Sequence, residues 1–334
     1  MLPPSLLVAC AASFAVTLAV TPWFAGYLKS LGLTGRDMQK PGKPSVPEMG
    51  GPCVIAGFLA GIFLFIWIKV FLHGRIEGLV EIFAGITTVL IIFIIGMLDD
   101  ISAVKKTQGK RAGLKQWQKP LLTLPASVPL IAIMAGNSSI SLPFIGSVDV
   151  GIFYPLVLVP VGVVGASNAI NMLAGLNGLE AGTGSVLLFS LGIYAHLCGN
   201  YLVSAFALIF AFALLGFLVY NWYPAKIFPG DSLSYAIGAV VAVVAIVGNM
   251  EKFAVLCFFP WFLELALKLR SGFRAENFGR LGKDGTLRAP YEKCYSLTHA
   301  VMKLGRFRER DVVAILILFE ALVCAAAFYL VRVI

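Results

Sequence analysis

Between positions 168 and 182 the chain reads Asn-Ala-Ile-Asn-Met-Leu-Ala-Gly-Leu-Asn-Gly-Leu-Glu-Ala-Gly. Two carboxamides, Asn168 and Asn171, close a hydrophobic run, and Gly175, Gly178 and Gly182 follow around Asn177 and Glu180. Amides and flexible backbone are costly in lipid and are tolerated where they line a protein cavity or bind something polar. Two other hydrophobic runs end in the same manner, at Gly96-Met-Leu-Asp99-Asp100 and at Asn221-Trp-Tyr-Pro-Ala-Lys-Ile-Phe-Pro-Gly-Asp231. Carboxylates and carboxamides are hard oxygen donors, suited to Mg²⁺ or Mn²⁺ rather than zinc. Magnesium takes one or two protein oxygens and completes its shell with water and substrate phosphates. Lys119 follows the aspartate pair, and Arg270, Arg274, Arg280, Lys283 and Arg288 stand in the one long polar segment. Carboxylates, a hard cation and flanking cations together point to phosphoryl transfer, which depends on positioning and charge neutralisation. In a membrane-embedded chain the matching acceptor is a lipid phosphate.

Each group also has an ordinary structural role open to it. Asp99 and Asp100 could be a solvated helix end, and adjacent helical residues point about 100° apart. Asn168 and Asn171, at i and i+3, share a helix face and could join helices by hydrogen bonds. Asp231 after Phe-Pro-Gly could be a helix N-cap. His299 reads as structural. A glycine-rich phosphate loop, a dinucleotide fingerprint, a zinc-protease pair of histidines and a nucleophile elbow are all missing from the sequence. With only three histidines, a histidine relay is excluded.

The elements that must position these groups are membrane spans. Of 334 residues, 59% are hydrophobic and 13% charged, about half the charged share of a soluble domain. Apolar stretches long enough to cross a bilayer number ten, at roughly 2–28, 49–72, 79–98, 120–136, 151–172, 183–199, 201–220, 232–248, 252–270 and 312–332. The expected fold is an all-α polytopic membrane protein, one domain over 1–334, with the segment 270–311 as a small subdomain. Loops after odd-numbered spans hold 22 of the 26 Lys and Arg residues; Lys69, Arg75, Lys252 and Arg332 fall elsewhere. The positive-inside rule then puts both termini outside and all three polar clusters on the cytoplasmic face. The residues before Ser5 carry no positive side chain, so the first span reads as uncleaved. Basic residues scattered among spans do not make a nucleic-acid reader. The six cysteines lack CxxC spacing and read as small buried apolar residues.

At these motifs the chain resembles the polyprenyl-phosphate N-acetylhexosamine-1-phosphate transferases over nearly its whole length. It is most similar to their archaeal and eukaryotic branch, the UDP-GlcNAc–dolichyl-phosphate GlcNAc-1-phosphotransferases. The run from Asn168 to Gly182 and the run from Asn221 to Asp231 carry that likeness, with Gly96 to Asp100 and Pro47-Glu48-Met-Gly-Gly51 in support. The resemblance implies attack by a lipid phosphate oxygen on the β-phosphorus of UDP-GlcNAc and departure of UMP. It implies Mg²⁺ at Asn171 and Asp231, with Mn²⁺ as the alternative, and catalytic roles for Asp99 and Asp100. It also implies substrate contacts from Glu48, Lys119, Asn168, Asn177, Gly178 and Asn221, the uridine lying near Asn177 and the glycines around it. Members of this family carry histidine after span nine; here the segment reads Ser271-Gly-Phe-Arg-Ala-Glu-Asn-Phe-Gly-Arg280, and Arg274 is the candidate diphosphate clamp. Lys283-Asp284-Gly285 predicts a tight turn and a small β-ribbon over the pocket. The implied partners are UDP-GlcNAc, a polyprenyl or dolichyl phosphate, membrane lipid and a second copy of the chain. The missing histidines favour an archaeal-type cell membrane over the endoplasmic reticulum. Another UDP-hexosamine or undecaprenyl phosphate fits the same chemistry. A secondary transporter would instead place polar groups near span centres.

Overall fold

A computed structural model describes residues 2–74, 77–104, 106–107, 110–111, 117–142 and 146–333. Arg75, Lys105 and Lys115, which enter the orientation argument, lie outside the described residues. Helix α1 (Pro4–Ser30) leads to a ribbon of β1 (Thr34–Arg36) and β2 (Ser45–Pro47), antiparallel with Gly35 opposite Val46. Helices α2 (Gly51–His73) and α3 (Leu79–Val104) follow, then the two-residue strands β3 (Lys106–Thr107) and β4 (Lys110–Arg111). Short helices α4 (Gln118–Thr123) and α5 (Val128–Ala132) flank the turn Leu124–Ser127. A ribbon of β5 (Ser139–Leu142) and β6 (Gly146–Asp149) precedes the wide helical turn Tyr154–Leu158, which runs into α6 (Val159–Met172). Then come α7 (Leu179–Leu197), α8 (Tyr201–Asn221), α9 (Gly230–Val247), α10 (Glu251–Cys257) and α11 (Phe259–Leu269). The ribbon of β7 (Arg280–Leu281) and β8 (Leu287–Arg288), then α12 (Leu297–Leu304) and α13 (Glu309–Val333), complete the chain.

Among the described residues seven helical segments are long and apolar enough to cross a membrane: α1, α2, α3, α6 with its leading turn, α8, α9 and α13. The chain is a mostly helical polytopic membrane protein. The other three expected spans take different forms for local reasons. Pro120, Pro125 and Pro129 divide the fourth into α4, a turn and α5, because proline lacks the N–H that a helix interior needs. Pro260, near the start of α11, accompanies the break at Phe258 in the ninth. The sixth is the continuous helix α7, whose polar and small first turns (Glu180 to Ser185) are buried inside the bundle.

Helix α9 is the hub. It is the most enclosed of the seven, with 83% of its apolar window buried, and it packs against α3, α6, α8 and α2. Aromatic edges fill the α2–α8 seam, where Phe58 meets Phe206 and Phe210 at 5.0 and 5.2 Å. One close crossing matters for function. A Cβ on Gly96 of α3 would lie 2.7 Å from the Asp231 carbonyl oxygen and the Ser232 Cα. Only glycine lets α3 pass this near to the start of α9, and Asp100 follows one turn later.

Candidate active site

The C-terminal ends of α3, α6 and α8 and the N-terminal end of α9 bring the three polar sequence clusters together. Asp99 and Asp100 are neighbours in α3 with different work. The Asp100 carboxylate accepts hydrogen bonds from the backbone N–H groups of Asp231 (2.6 Å) and Ser232 (3.0 Å). Those are first-turn amides that a helix cannot pair internally, so Asp100 caps α9 from another helix. Gly230, at φ +72°, makes room: a Cβ there would stand 2.8 Å from the Asp100 carboxyl carbon.

The cap role open to Asp231 is therefore filled by Asp100, and the Asp231 carboxylate points elsewhere. Its Oδ2 accepts from Lys119 Nζ at 2.8 Å, and Asp99 Oδ2 lies 2.8 Å from the same ammonium. The Tyr235 ring sits 5.6 Å from that ammonium. Burial opposes the Lys119 charge, but the Asp231 carboxylate and its partners outweigh that and raise its pKa above the ordinary lysine value. Asp99 is 2% exposed and Asp231 27%, so Asp231 is the carboxylate that can meet a ligand.

Two cavities lie near this centre. The polar one, about 260 Å³, is lined by Gly35, Asp37, Glu48, Asn171, Gly175, Asn177, Glu180, Asn221, Phe228, Asp231 and Phe278, among others. The apolar one, about 640 Å³, runs between α6, α9, α10 and α11, with Pro120 and Asn168 at one part and Tyr154 and Glu251 at another. The Tyr154 hydroxyl donates to Glu251. Asn168 and Asn171 thus part company although they are one turn apart. Asn168 lines the apolar cavity and donates to the Val164 carbonyl (2.8 Å) and Thr123 Oγ1 (3.3 Å). Asn171 lines the polar cavity, and its Oδ1 accepts from Ser234 Oγ at 3.1 Å.

The glycine-rich stretch is fixed by acids. Gly178 takes φ +86° as the residue before α7 and lies against the Trp222 ring. Glu180 Oε1 accepts from the Gly175 N–H at 2.9 Å, while its other oxygen is buried without a partner among the described residues. Asn177 donates from its backbone to Glu309 Oε1 (2.8 Å) and from its side chain to Asp37 Oδ2 (3.0 Å). Asn221 is fully buried and donates to the Ile227 carbonyl at 3.0 Å. Glu48 reaches the cavity because the Phe228 N–H donates to the Pro47 carbonyl (2.7 Å) and the Gly50 N–H to the Phe228 and Pro229 carbonyls.

Arg274 is not brought to this centre. It is exposed, in the turn after α11, and does not line the polar cavity. The segment meets the cavity through Phe278, which lies against Gly175. It is anchored by Asn277, whose amide donates to the Met172 and Ala174 carbonyls at 2.8 Å each and accepts from Lys268. The turn expected at Lys283-Asp284-Gly285 is present, with β7 and β8 paired through Leu281 and Leu287; neither strand lines the polar cavity. His299 is fully buried against the Tyr291 ring, and burial lowers its pKa to about 4, which fits a neutral structural residue. Glu309, Asp37 and Asn277 were not legible as site residues. Each stands in a polar stretch whose residue types many surface segments share.

Among the described residues no three His, Cys, Asp or Glu side chains converge as a closed metal cage requires. The polar cavity offers two half-buried carboxylates, Glu48 and Asp231, and one half-buried carboxamide, Asn171, beside the buried Asp37, Glu180, Asn177 and Asn221. Of these, Asp231 and Asn171 are an all-oxygen pair that fits a magnesium-like ion drawing its other ligands from water and phosphate, and they do not fit zinc.

The sequence profile described as glycosyl transferase family 4 matches residues 82–249. A Saccharolobus solfataricus protein, provisionally named UDP-N-acetylglucosamine–dolichyl-phosphate N-acetylglucosaminephosphotransferase, is 40% identical over 95% of this chain and 94% of its own. A Dictyostelium discoideum protein that carries the same name without qualification is 28% identical, over 94% of this chain and 85% of its own. A Clostridium botulinum phospho-N-acetylmuramoyl-pentapeptide-transferase is 33% identical over 77% of this chain and 78% of its own. The matched residues contain α9 with both of its anchors, Asp100 and Lys119, and the chain belongs to glycosyl transferase family 4.

Proposed function

We propose that the protein transfers GlcNAc-1-phosphate from UDP-GlcNAc to a dolichyl-type polyprenyl phosphate, with UMP as the leaving product. The observation that carries the reading is Lys119 held between Asp99 and Asp231, with Asp231 lining a polar cavity and Pro120, next to Lys119 in the chain, lining an apolar one. The nucleotide sugar occupies the polar cavity, and the prenyl chain lies in the apolar one with its phosphate toward Lys119. A phosphate oxygen of the lipid forms a bond to the β-phosphorus of UDP-GlcNAc. The bond from that phosphorus to the bridging oxygen breaks, and the electron pair leaves with UMP.

The side chains supply position and charge rather than a covalent nucleophile. Lys119 neutralises the incoming phosphate. Asp99 aims Lys119, and Asp100 fixes the start of α9 and with it Asp231. A phosphomonoester has a second pKa of about 6 and is largely dianionic at neutral pH, so little proton removal is needed. Asn171 and Asp231 are the residues that would hold Mg²⁺, which neutralises diphosphate charge when bound. Ten membrane crossings, both termini outside, a cytoplasmic site, an archaeal-type cell membrane and a homodimer belong to the same reading. Support for the cytoplasmic face comes from the 22 of 26 basic residues on that side.

The test is UMP release by the purified chain in detergent. Release that requires both UDP-GlcNAc and a prenyl phosphate supports the reading; release without the lipid, or none with both, rejects it. A panel of other UDP-hexosamines and undecaprenyl phosphate separates this acceptor and donor from their neighbours. A transporter is disfavoured because the polar groups gather at helix ends.

A further inference from the structure

The β7–β8 ribbon, which lines neither cavity, has two unlike faces. Within it Leu281 stands opposite Leu287 and Arg280 opposite Arg288. The chain returns to the ribbon just before α13. There Phe307 forms an antiparallel bridge with Leu287, and its carbonyl accepts the Leu287 N–H at 2.8 Å. Directly opposed residues share a face of a ladder, and successive residues alternate between faces. Leu281, Leu287 and Phe307 are therefore one row, turned inward, with Leu287 only 1% exposed. One step along the same register sets Arg306 opposite Arg288. Arg280, Arg288 and Arg306 thus make the other row, and all three are exposed.

Like charges directly opposed on a ladder repel, and neighbouring strands are only about 5 Å apart. Arginine cannot relieve the repulsion by losing its proton. No carboxylate forms an ion pair with any of the three among the described residues. Asp284, in the turn between the strands, is spent on the Thr286 N–H and hydroxyl. An anion with several oxygens lying across the row removes the repulsion, because each guanidinium is a planar fork that matches phosphate.

The surroundings say which anion. Lys303, Arg308 and Arg310 are exposed in the same stretch, and α13, long and apolar enough to cross a membrane, starts at Glu309. Leu304, between Lys303 and the arginines, is 79% exposed. A basic cluster with an exposed apolar side chain at the foot of a membrane helix meets the headgroup layer, which is rich in phosphate.

We infer that Arg280, Arg288 and Arg306 form a binding row for the phosphates of anionic membrane lipids, apart from the reaction centre. Leu304 enters the acyl boundary beside it, and the row holds this end of the 270–311 segment against the bilayer surface.

The experiment is native mass spectrometry of the purified full chain in detergent micelles that hold phosphatidylglycerol and phosphatidylcholine in equal amounts, with thermal melting alongside. The wild type should retain phosphatidylglycerol over phosphatidylcholine by about tenfold, and phosphatidylglycerol should raise its melting temperature. The triple variant Arg280→Gln, Arg288→Gln, Arg306→Gln should keep a preference of no more than about twofold. Without anionic lipid it should melt no lower than the wild type, since the substitutions remove repulsion. Side chains that serve the fold alone predict a lower melt. A control with the same charge removed from other exposed positions, Lys29→Gln, Lys226→Gln, Lys293→Gln, should behave as the wild type. No preference in the wild type, a preference kept in the triple variant, or an equal loss in the control overturns the inference. Displacement of the lipid by millimolar inorganic phosphate reassigns the row to a soluble anion and overturns it as well. Should the triple variant not fold, Arg288→Gln, the middle of the row, is read against the same outcomes.

Discussion

The two cavities on either side of α6 are built on opposite principles. The polar cavity is walled by residues from the 221–231 segment between α8 and α9, the glycine-rich stretch and the β1–β2 ribbon, and the polar side chains Asp37, Asn171, Asn177, Glu180, Asn221 and Asp231 in it are each held by a hydrogen bond or ion pair. The larger apolar cavity is walled by helix faces, and Asn168, Tyr154 and Glu251 are its conspicuous polar side chains. A polar ligand with a defined charge and hydrogen-bond pattern needs preorganised partners, since each unmatched buried group is costly. A long hydrocarbon needs only a surface free of unsatisfied polar groups. The contrast says where substitutions should be tolerated: the apolar wall should accept changes of shape, and the polar wall should not accept changes of atom type.

The strongest way to break the comparison is at Asp231, which lines the polar cavity and pairs with Lys119, the neighbour of Pro120 in the apolar wall. Asp231→Ala should lower turnover by about 10³-fold or more while the melting temperature hardly moves, because Asp100 and not Asp231 caps α9. Turnover near wild type at saturating Mg²⁺ would remove Asp231 from the site.

The aspartate pair should then separate. Asp100→Ala should cost about 1–2 kcal/mol of stability, as for a lost helix cap, together with activity. Asp99→Asn should cost activity with little change in stability, and it should stay impaired as pH rises well above the second phosphate pKa of about 6. Full recovery at high pH would make Asp99 a proton acceptor instead of a group that aims Lys119. The checks are a thermal melt and a pH–rate profile for each variant.

The apolar side can be sharpened by filling it. A Cβ on Gly165 would meet nothing within 4 Å, so Gly165→Phe should project into the cavity without strain. The KM for the lipid phosphate should rise about tenfold, and UMP binding should be unchanged. A matched loss of nucleotide binding would mean that the two cavities are not independent.

Asn171→Ala should weaken the Mg²⁺ response more than Asn168→Ala does, since Asn171 alone of the two lines the polar cavity. Metal-independent losses of equal size would assign both to helix packing. The smallest effect belongs to Arg274→Ala, within about twofold of wild type, because that side chain stands exposed outside the polar cavity. A large rise in KM for UDP-GlcNAc would show that the segment closes on its substrate.

Much of this was readable in advance because polar residues in an apolar sequence stand out. The three clusters, the segments that carry them and the 283–285 turn all follow from composition and local pattern. Three matters did not. The roles of Asp99 and Asp100 depend on which helix starts beneath them, and the Asp231 amide lies 131 residues away from the carboxylate that caps it. The parting of Asn168 and Asn171 depends on where neighbouring helices leave space, which a helix-face argument from one sequence cannot fix. The Lys40–Glu309 pair joins residues 269 positions apart, and no local pattern connects them. Arg274 was proposed from its place in the segment that corresponds to the family's histidine motif, whereas Phe278 is the residue of that segment that lines the cavity and Asn277 the one that anchors it.

The cap that Asp100 places on α9 also bears on how the protein breathes. The first amides of a helix ordinarily trade their hydrogens with solvent early, because nothing inside the helix holds them. At Asp231 and Ser232 a carboxylate from another helix holds both. Deuterium should therefore enter this end of α9 slowly, on the timescale of α3 pulling away from it. Local fraying would not open it, and the seat of the chemistry should be among the last places in the protein to loosen.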